Sequence, residues 1–232
     1  MNNGIFDRSV KLIGEDGLQR LFASRVLIIG VGGVGGYAVE TLARSGVGII
    51  GIMDGDDVDV TNINRQIIAL DSTVGEAKVH AFCKRIADIN PNCKVIARKE
   101  RFSKNNCDIL DMGWDYIIDA IDSFEDKVDL IDIAKSKGLN IVSAMGAGNR
   151  TAVCDFEICD VYKTSYDALA KKLRKALRDR DIKNLDVCYT KEPVIPTIGG
   201  VGSMSYVPPL CGIKIAGFVI NKLLEKSENK TR

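Results

Sequence analysis

The chain has 232 residues, 46% hydrophobic and 27% charged, with a formal net charge of +1. That length allows one sizeable domain with at most a small appendage, in an ordinary globular composition. A near-neutral balance excludes a global field for nucleic acid, so any basic patch must be local. Residues 207–224 are the most apolar stretch, but Lys214 and Lys222 interrupt it, which argues against a membrane span.

Residues 5–24 are predicted helical, with Leu12, Leu18, Leu21 and Phe22 as buried positions. Residues 25–29 read as a buried strand, 33–45 as a helix, and 49–53 as a second strand. Between the first strand and the helix lies Gly30-Val31-Gly32-Gly33-Val34-Gly35. In such a turn Gly30 permits the sharp reversal, Gly32 lets the backbone approach a phosphate, and Gly35 lets the helix pack against the strand. The helix start offers free N–H groups to an anion. Asp54, closing the second strand, can accept hydrogen bonds from ribose hydroxyls. This layout predicts a bound nucleotide, either NAD or ATP.

Residues 55–71 form a polar connection too long for a plain turn, which is a common place for function. A helix is predicted over 75–90, a strand over 94–99, a buried strand over 116–122 and a helix over 124–137. A strand at 140–143 then runs into Met145-Gly146-Ala147-Gly148. This alternation predicts an α/β, Rossmann-like, doubly wound and mainly parallel sheet, with residues 1–150 as the nucleotide-binding region. Residues 151–232 read as a C-terminal extension packed on the same domain. It should contain a strand at 151–161 and an amphipathic helix at 166–180 with Leu169, Leu173 and Leu177 one turn apart. Thr164 and Asp167 stand at capping-box spacing. A strand at 187–189, a flexible loop at 199–203, Pro208-Pro209 and a final apolar helix follow. Residues 225–232 are expected to fray.

The loop from Asp54 to Gln66 separates the two nucleotide readings. It carries Asp56, Asn62, Arg65 and Gln66. A dinucleotide pyrophosphate on a helix end does not need a guanidinium and an amide nearby, whereas a triphosphate does. Lys78 adds a point charge. Asp122 closes the strand over 116–122, where ligands sit in an open parallel sheet, and can hold Mg²⁺ or stabilise developing charge. Asp119, on the other alternation, reads as a structural hydrogen-bonding group.

Taken together, Arg8, Gly30–Gly35, Asp54, Asn62-x-Asn64-Arg65-Gln66, Lys78, Asn90-Pro91 and Asp119-Ala120-Ile121-Asp122 resemble the ubiquitin-activating-enzyme-like (ThiF/MoeB) superfamily. The resemblance implies ATP, Mg²⁺, a homodimer and adenylation of a carboxylate. It implies ribose binding by Asp54 and phosphate contacts by Asn62, Arg65 and Lys78. Asp122 would serve Mg²⁺ and adenylation, and Arg8 would reach into the partner's site.

Members that activate ubiquitin-like sulfur carriers usually have two Cys-x-x-Cys pairs, which this chain lacks. Cys154 and Cys159 are spaced Cys-x4-Cys, and Cys188 and Cys211 stand alone, so buried or incidental thiols are the better reading. Asp119–Ser123, Gly146-Ala147-Gly148 and residues 167–177 instead resemble the tRNA threonylcarbamoyladenosine dehydratase branch. That branch adenylates the threonyl carboxylate of a modified tRNA adenosine and closes a ring with loss of AMP. The helix over 166–180 independently offers Lys171, Lys172, Arg174, Lys175 and Arg178 as a local basic patch suited to a tRNA backbone. Activation of a carrier protein is the alternative function, and an association with a cysteine desulfurase or sulfur acceptor is a further expectation. Seven cysteines and a polar start, Met1–Asp7, without a signal-peptide core suggest a reducing cytoplasm.

Overall fold

A computed structural model describes residues 4–153 and 155–225. Cys154 and most of the expected frayed tail lie outside the described residues. The helices are α1 (Asp7–Ala23), α2 (Gly35–Arg44), α3 (Lys78–Ile89), α4 (Phe124–Ser136), α5 (Ala168–Arg178) and α6 (Val207–Glu225). The strands are β1 (Arg25–Ile29), β2 (Ile49–Met53), β3 (Lys94–Arg98), β4 (Tyr116–Asp119), β5 (Ile141–Ala144), β6 (Glu157–Asp160) and β7 (Asp186–Tyr189).

They form a 7-stranded sheet in the order β3-β2-β1-β4-β5-β7-β6. All neighbours are parallel except β6 and β7, which are antiparallel. Because β7 pairs with β5, the sheet runs through residue 150 without a break. Strands β1, β2, β4 and β5 are short and apolar on both faces, as a sheet covered on both sides requires, whereas the edge strands β3 and β6 are only partly buried. Val26, Ile28, Ile118 and Val142 pack with α2, α3 and α6, while Leu27, Ile29, Ile117 and Ile141 pack with α4 and α5. The winding reverses between β1 and β4, and this opens a crevice at the carboxyl ends of those two strands.

Several expectations shift locally. Leu12 is 86% exposed, whereas Leu18 and Leu21 are buried. Gly14 breaks the α1 backbone (φ 69°, ψ 170°), which rotates the apolar stripe out of phase before it. The strand expected over 151–161 is confined to β6, because β7 offers only four pairing positions. The next helix starts later than periodicity suggests, since Tyr166 takes a left-handed φ of 57° and Asp167 caps it, accepting from the Ala170 N–H at 2.7 Å. Thr164 is not the cap; its hydroxyl donates to the Val161 carbonyl. Pro208 and Pro209 lie inside the first turn of α6, where a missing N–H costs nothing.

By length and composition α6 could cross a membrane. Its Val207, Cys211, Ile215, Val219 and Leu223 are buried, and its main neighbour is α2. It is therefore packed as a core helix. Cys188 and Cys211 meet in this core, where the Cys188 thiol donates weakly to the Cys211 carbonyl at 3.9 Å.

Candidate active site

A cavity of about 500 Å³ occupies the crevice over β1 and β4. Its first wall is the glycine turn. Gly30 has φ 85°, and a side chain there would meet the Ala120 carbonyl at 2.6 Å. Gly35 lies so close to the turn that a Cβ would sit 1.8 Å from the Gly30 carbonyl oxygen. These two glycines seat α2 against β1, and Gly32 and Gly33 face the cavity.

Asp54 braces this wall. One oxygen accepts from the Val31 N–H at 2.8 Å and the other from the Asp56 N–H at 2.9 Å. Lys78, the first residue of α3, is only 5% exposed and donates to Asp56 at 2.9 Å, with Asp54 at 3.8 Å. Arg101, after β3, donates to the other Asp56 oxygen at 2.9 Å. Burial raises the Asp56 carboxyl, but the Lys78 and Arg101 hydrogen bonds outweigh it and hold the group below the usual carboxylate range.

Arg65 lines the cavity and donates to the Thr61 carbonyl at 2.8 Å and the Asn64 side chain at 2.9 Å. Both bonds use one guanidinium nitrogen. Gln66 also lines the cavity, and its buried Oε1 has no protein partner. Asn62 does not line it. Its side-chain oxygen accepts from the Asp59 N–H at 3.2 Å, capping the turn that presents Arg65.

The opposite wall comes from β4 and β5. Strand β4 ends at Asp119, so Asp122 lies three residues past it, in the loop before α4, and lines the cavity with Asp126. Asp119 is completely buried. It accepts from Lys127 Nζ at 2.7 Å and from the Ile121 N–H at 3.0 Å, and Ser143 donates to it as well. Lys127, 1% exposed, also donates to Ser143 and the Ala144 carbonyl at 3.2 Å. This buried pair pins α4 to the ends of β4 and β5, directly beneath the loop that carries Asp122. The far end of the cavity is closed by Gly146–Gly148, Leu169, Val201 and Ser203.

Arg8 lies outside this cavity, on the exposed surface of α1. The basic helix α5 is more committed to its own fold than its composition suggests. Arg174 is half-buried and donates to the Thr164 carbonyl at 3.2 Å and to its hydroxyl. Lys172 sits 3.6 Å from the Phe124 ring centre, and Arg178 stacks over Tyr162 at 5.3 Å. Lys171 and Lys175 are exposed.

The ThiF family model matches residues 6–231. This chain belongs to the ThiF family. A tRNA threonylcarbamoyladenosine dehydratase of Bacillus subtilis is 40% identical to it over 97% of this chain and 96% of that protein. The enzyme of that name from Haemophilus influenzae is 35% identical over 93% and 92%. Among solved structures, Escherichia coli tRNA N6-threonylcarbamoyladenosine dehydratase in complex with ATP superposes with a TM-score of 0.93 at 33% identity, covering 98% of this chain and 96% of that one. Its AMP complex gives 0.91 at 34% identity, over 96% and 95%.

Within this ThiF chain the cavity brings together Gly30, Gly32, Gly33, Asp54, Asp56, Arg65, Gln66, Lys78 and Asp122. Gly35 shapes the turn from behind, and Asn62 and Arg8 stand apart. Sequence reasoning missed Arg101, Asp126 and Lys127. Asp126 and Lys127 follow Asp122 closely enough to invite attention on a helix start, but Arg101 carries no local signal. Among the described residues no group of three or more His, Cys, Asp or Glu side chains is arranged for a metal.

Proposed function

We propose that this protein is an ATP-dependent tRNA threonylcarbamoyladenosine dehydratase. The observation that carries the reading is the wall shared by the glycine turn, Arg65 and Lys78, a set of charges suited to a triphosphate. The orphaned Gln66 Oε1 supports a ligand in the same place, because a buried acceptor without a partner is costly unless something donates to it.

The residues divide the work as follows. The turn and the α2 N-terminus receive phosphate oxygens with backbone N–H groups. Asp54 holds that turn in shape and keeps lone pairs for ribose hydroxyls. Lys78 must leave Asp56 to reach a phosphate, and Arg101 keeps Asp56 compensated when it does. Arg65 has guanidinium nitrogens left for phosphoryl oxygens. ATP supplies the activation: a carboxylate oxygen attacks the α-phosphorus, and pyrophosphate leaves. An internal nitrogen or oxygen then attacks the acyl carbon, AMP leaves, and one water is lost overall. Asp122, which lines the same cavity, is read as the group that serves the acyl phosphate as it forms.

Mg²⁺ fits this donor set, because it takes one or two carboxylates plus phosphate oxygens, and keeps its remaining waters. Asp122, with Asp126 beside it, would supply the carboxylate side and the ion would neutralise phosphate charge. Arg8 is read as a contribution from a second copy in a homodimer. The 86% exposed Leu12, one turn along α1, supports an interface there. Lys171, Lys172, Lys175 and Arg178 are read as contacts to the tRNA backbone, with Arg174 holding the helix in place. A reducing cytoplasm and a sulfur-acceptor partner complete the reading.

The test is ATP turnover with tRNA that carries or lacks the threonylcarbamoyl group. AMP release should require the modified tRNA, and nucleoside mass analysis should show loss of one water. AMP release stimulated only by a carrier protein would overturn the assignment.

A further inference from the structure

The far end of the cavity is built by contacts that no sequence motif announces. Residues 190–206 cross from β7 to α6 and supply Val201 and Ser203 to the cavity. Three consecutive residues, Asn149, Arg150 and Thr151, hold this crossing along its length. The Asn149 carbonyl accepts from the Ile195 N–H at 2.7 Å. The Asn149 N–H donates to the Gly202 carbonyl at 2.8 Å, and its side-chain oxygen accepts from the Gly202 N–H at 2.6 Å. Tyr206 donates its hydroxyl to the Thr151 carbonyl.

Arg150 lies beneath, only 4% exposed. Its Nε donates to the Glu192 carbonyl at 3.1 Å, and Nη1 donates to the Gly146 carbonyl at 2.7 Å and the Gly148 carbonyl at 3.1 Å. Nη2 faces Asp167 at 3.5 Å, with both side chains nearly solvent-free. Asp167 is the residue that caps α5. Thus one guanidinium joins the root of the crossing, the glycine wall of the cavity and the start of the basic helix. Gly148 is part of the fit, since a Cβ there would lie 2.4 Å from a Val201 methyl carbon.

Asn149 takes a left-handed φ of 57°. Asparagine tolerates this region better than most residues, and here the conformation turns its N–H, its carbonyl and its side chain toward the crossing. A buried arginine with this many carbonyl acceptors is a rigid planar brace.

We propose that Asn149 and Arg150 are positioning residues that hold the 190–206 crossing and the Gly146–Gly148 wall in the shape that receives the carboxylate substrate. The nucleotide end, over β1 and β2, meets the crossing where Asn64 donates to the Ser203 carbonyl at 3.0 Å, and takes its own shape from Asp54 and the glycine turn. This rests on the adenylation reading for its kinetic part only. Neither residue is a catalytic residue, since each acts through the backbone it holds.

The test uses the full chain with Arg150→Gln and Asn149→Gly. The glycine variant keeps the left-handed backbone and deletes only the side-chain bond. Hydrogen exchange should quicken at the Ile195 and Gly202 amides by at least about tenfold, while strand amides of β1 and β4 keep wild-type protection. With threonylcarbamoylated tRNA, kcat/KM for tRNA should fall by about 10-fold to 100-fold, with the Kd for ATP unchanged within about twofold. Unchanged exchange at both amides, or faster exchange across the whole sheet, overturns the proposal. So does local loosening with wild-type kinetics. If instead the wild-type protein fails to turn over that tRNA, the substrate reading fails. The exchange result then still decides whether the brace exists.

Discussion

The two ends of the cavity are built in different ways. At the nucleotide end, Gly30–Gly35, Asp54 and Asp56 come from one β-α-β unit and the turn after it, and their mutual geometry follows from short stretches of chain. At the far end, Arg150 reaches Glu192, 42 residues away, and Asn149 reaches Gly202, 53 residues away. The first end is mainly a local motif set on a sheet, joined by Arg101 from 45 residues away. The second takes shape only after β5, β7, α5 and α6 have assembled around it. The difference teaches that one cavity can have a wall largely readable from spacing and a wall set mostly by long-range packing. Beneath both lies the buried Asp119–Lys127 pair, which belongs to neither end and supports each.

That shared floor offers the largest effect. Lys127→Met should leave Asp119 buried and uncompensated and cost about 3–5 kcal/mol of stability, read by urea unfolding. A wild-type midpoint would mean that the two ends stand independently. Next comes a carboxylate of the cavity lining. Asp122→Ala should lower adenylation by about 10²–10³-fold with ATP still bound, as seen in pyrophosphate exchange alongside ATP titration. Retained activity would remove Asp122 from the chemistry.

Charge reversal at Lys171, Lys172 and Lys175 probes the far side alone. It should weaken tRNA binding about tenfold or more and flatten its salt dependence, and ATP affinity should not move. Loss of ATP affinity in the same variant would show that the ends are not separable. The smallest effect concerns the back of the nucleotide end. Glu40, nearly buried on α2, accepts from Arg44 at 2.7 Å and from Arg85 of α3 at 2.6 Å. Burial raises its carboxyl, but the two arginines outweigh this and lower it. A lowered folded value means stability that is present above the ordinary glutamate range and lost as pH falls through the folded value. Glu40→Gln should therefore cost about 1–2 kcal/mol near neutral pH, and the gap from wild type should close in acid. A gap that persists at low pH would point to packing rather than charge.

The alternation of strands and helices as far as Gly148 was legible because the inner strands are apolar on both faces and glycine, or Asn90-Pro91, marks most of the turns. Asp119 was legible as structural, though not its partner. Lys127 sits on α4 among residues that look like an ordinary amphipathic mixture, and only the closeness of β4 to β5 makes it a buried cation. The basic face of α5 could be read from spacing, but the withdrawal of Arg174 could not, since Thr164 meets it through a turn whose left-handed Tyr166 has no sequence mark. Leu12 was misread for a similar reason: helical phase assumes a continuous helix, and Gly14 interrupts it.

By itself the sequence determined the Rossmann-like sheet, the glycine cradle and Arg65, Lys78 and Asp122 as charges of one cavity. These depend on periodicity and on residues a few positions apart, where covalent geometry limits the options. Tertiary structure alone decided which carboxylate is buried with a lysine and how Arg101 and Lys78 share Asp56. It also decided that Asn149 and Arg150 brace a crossing far along the chain. Such contacts depend on where separate elements come to rest, and hydrogen-bond geometry within a packed core picks one partner from many that the sequence leaves equal.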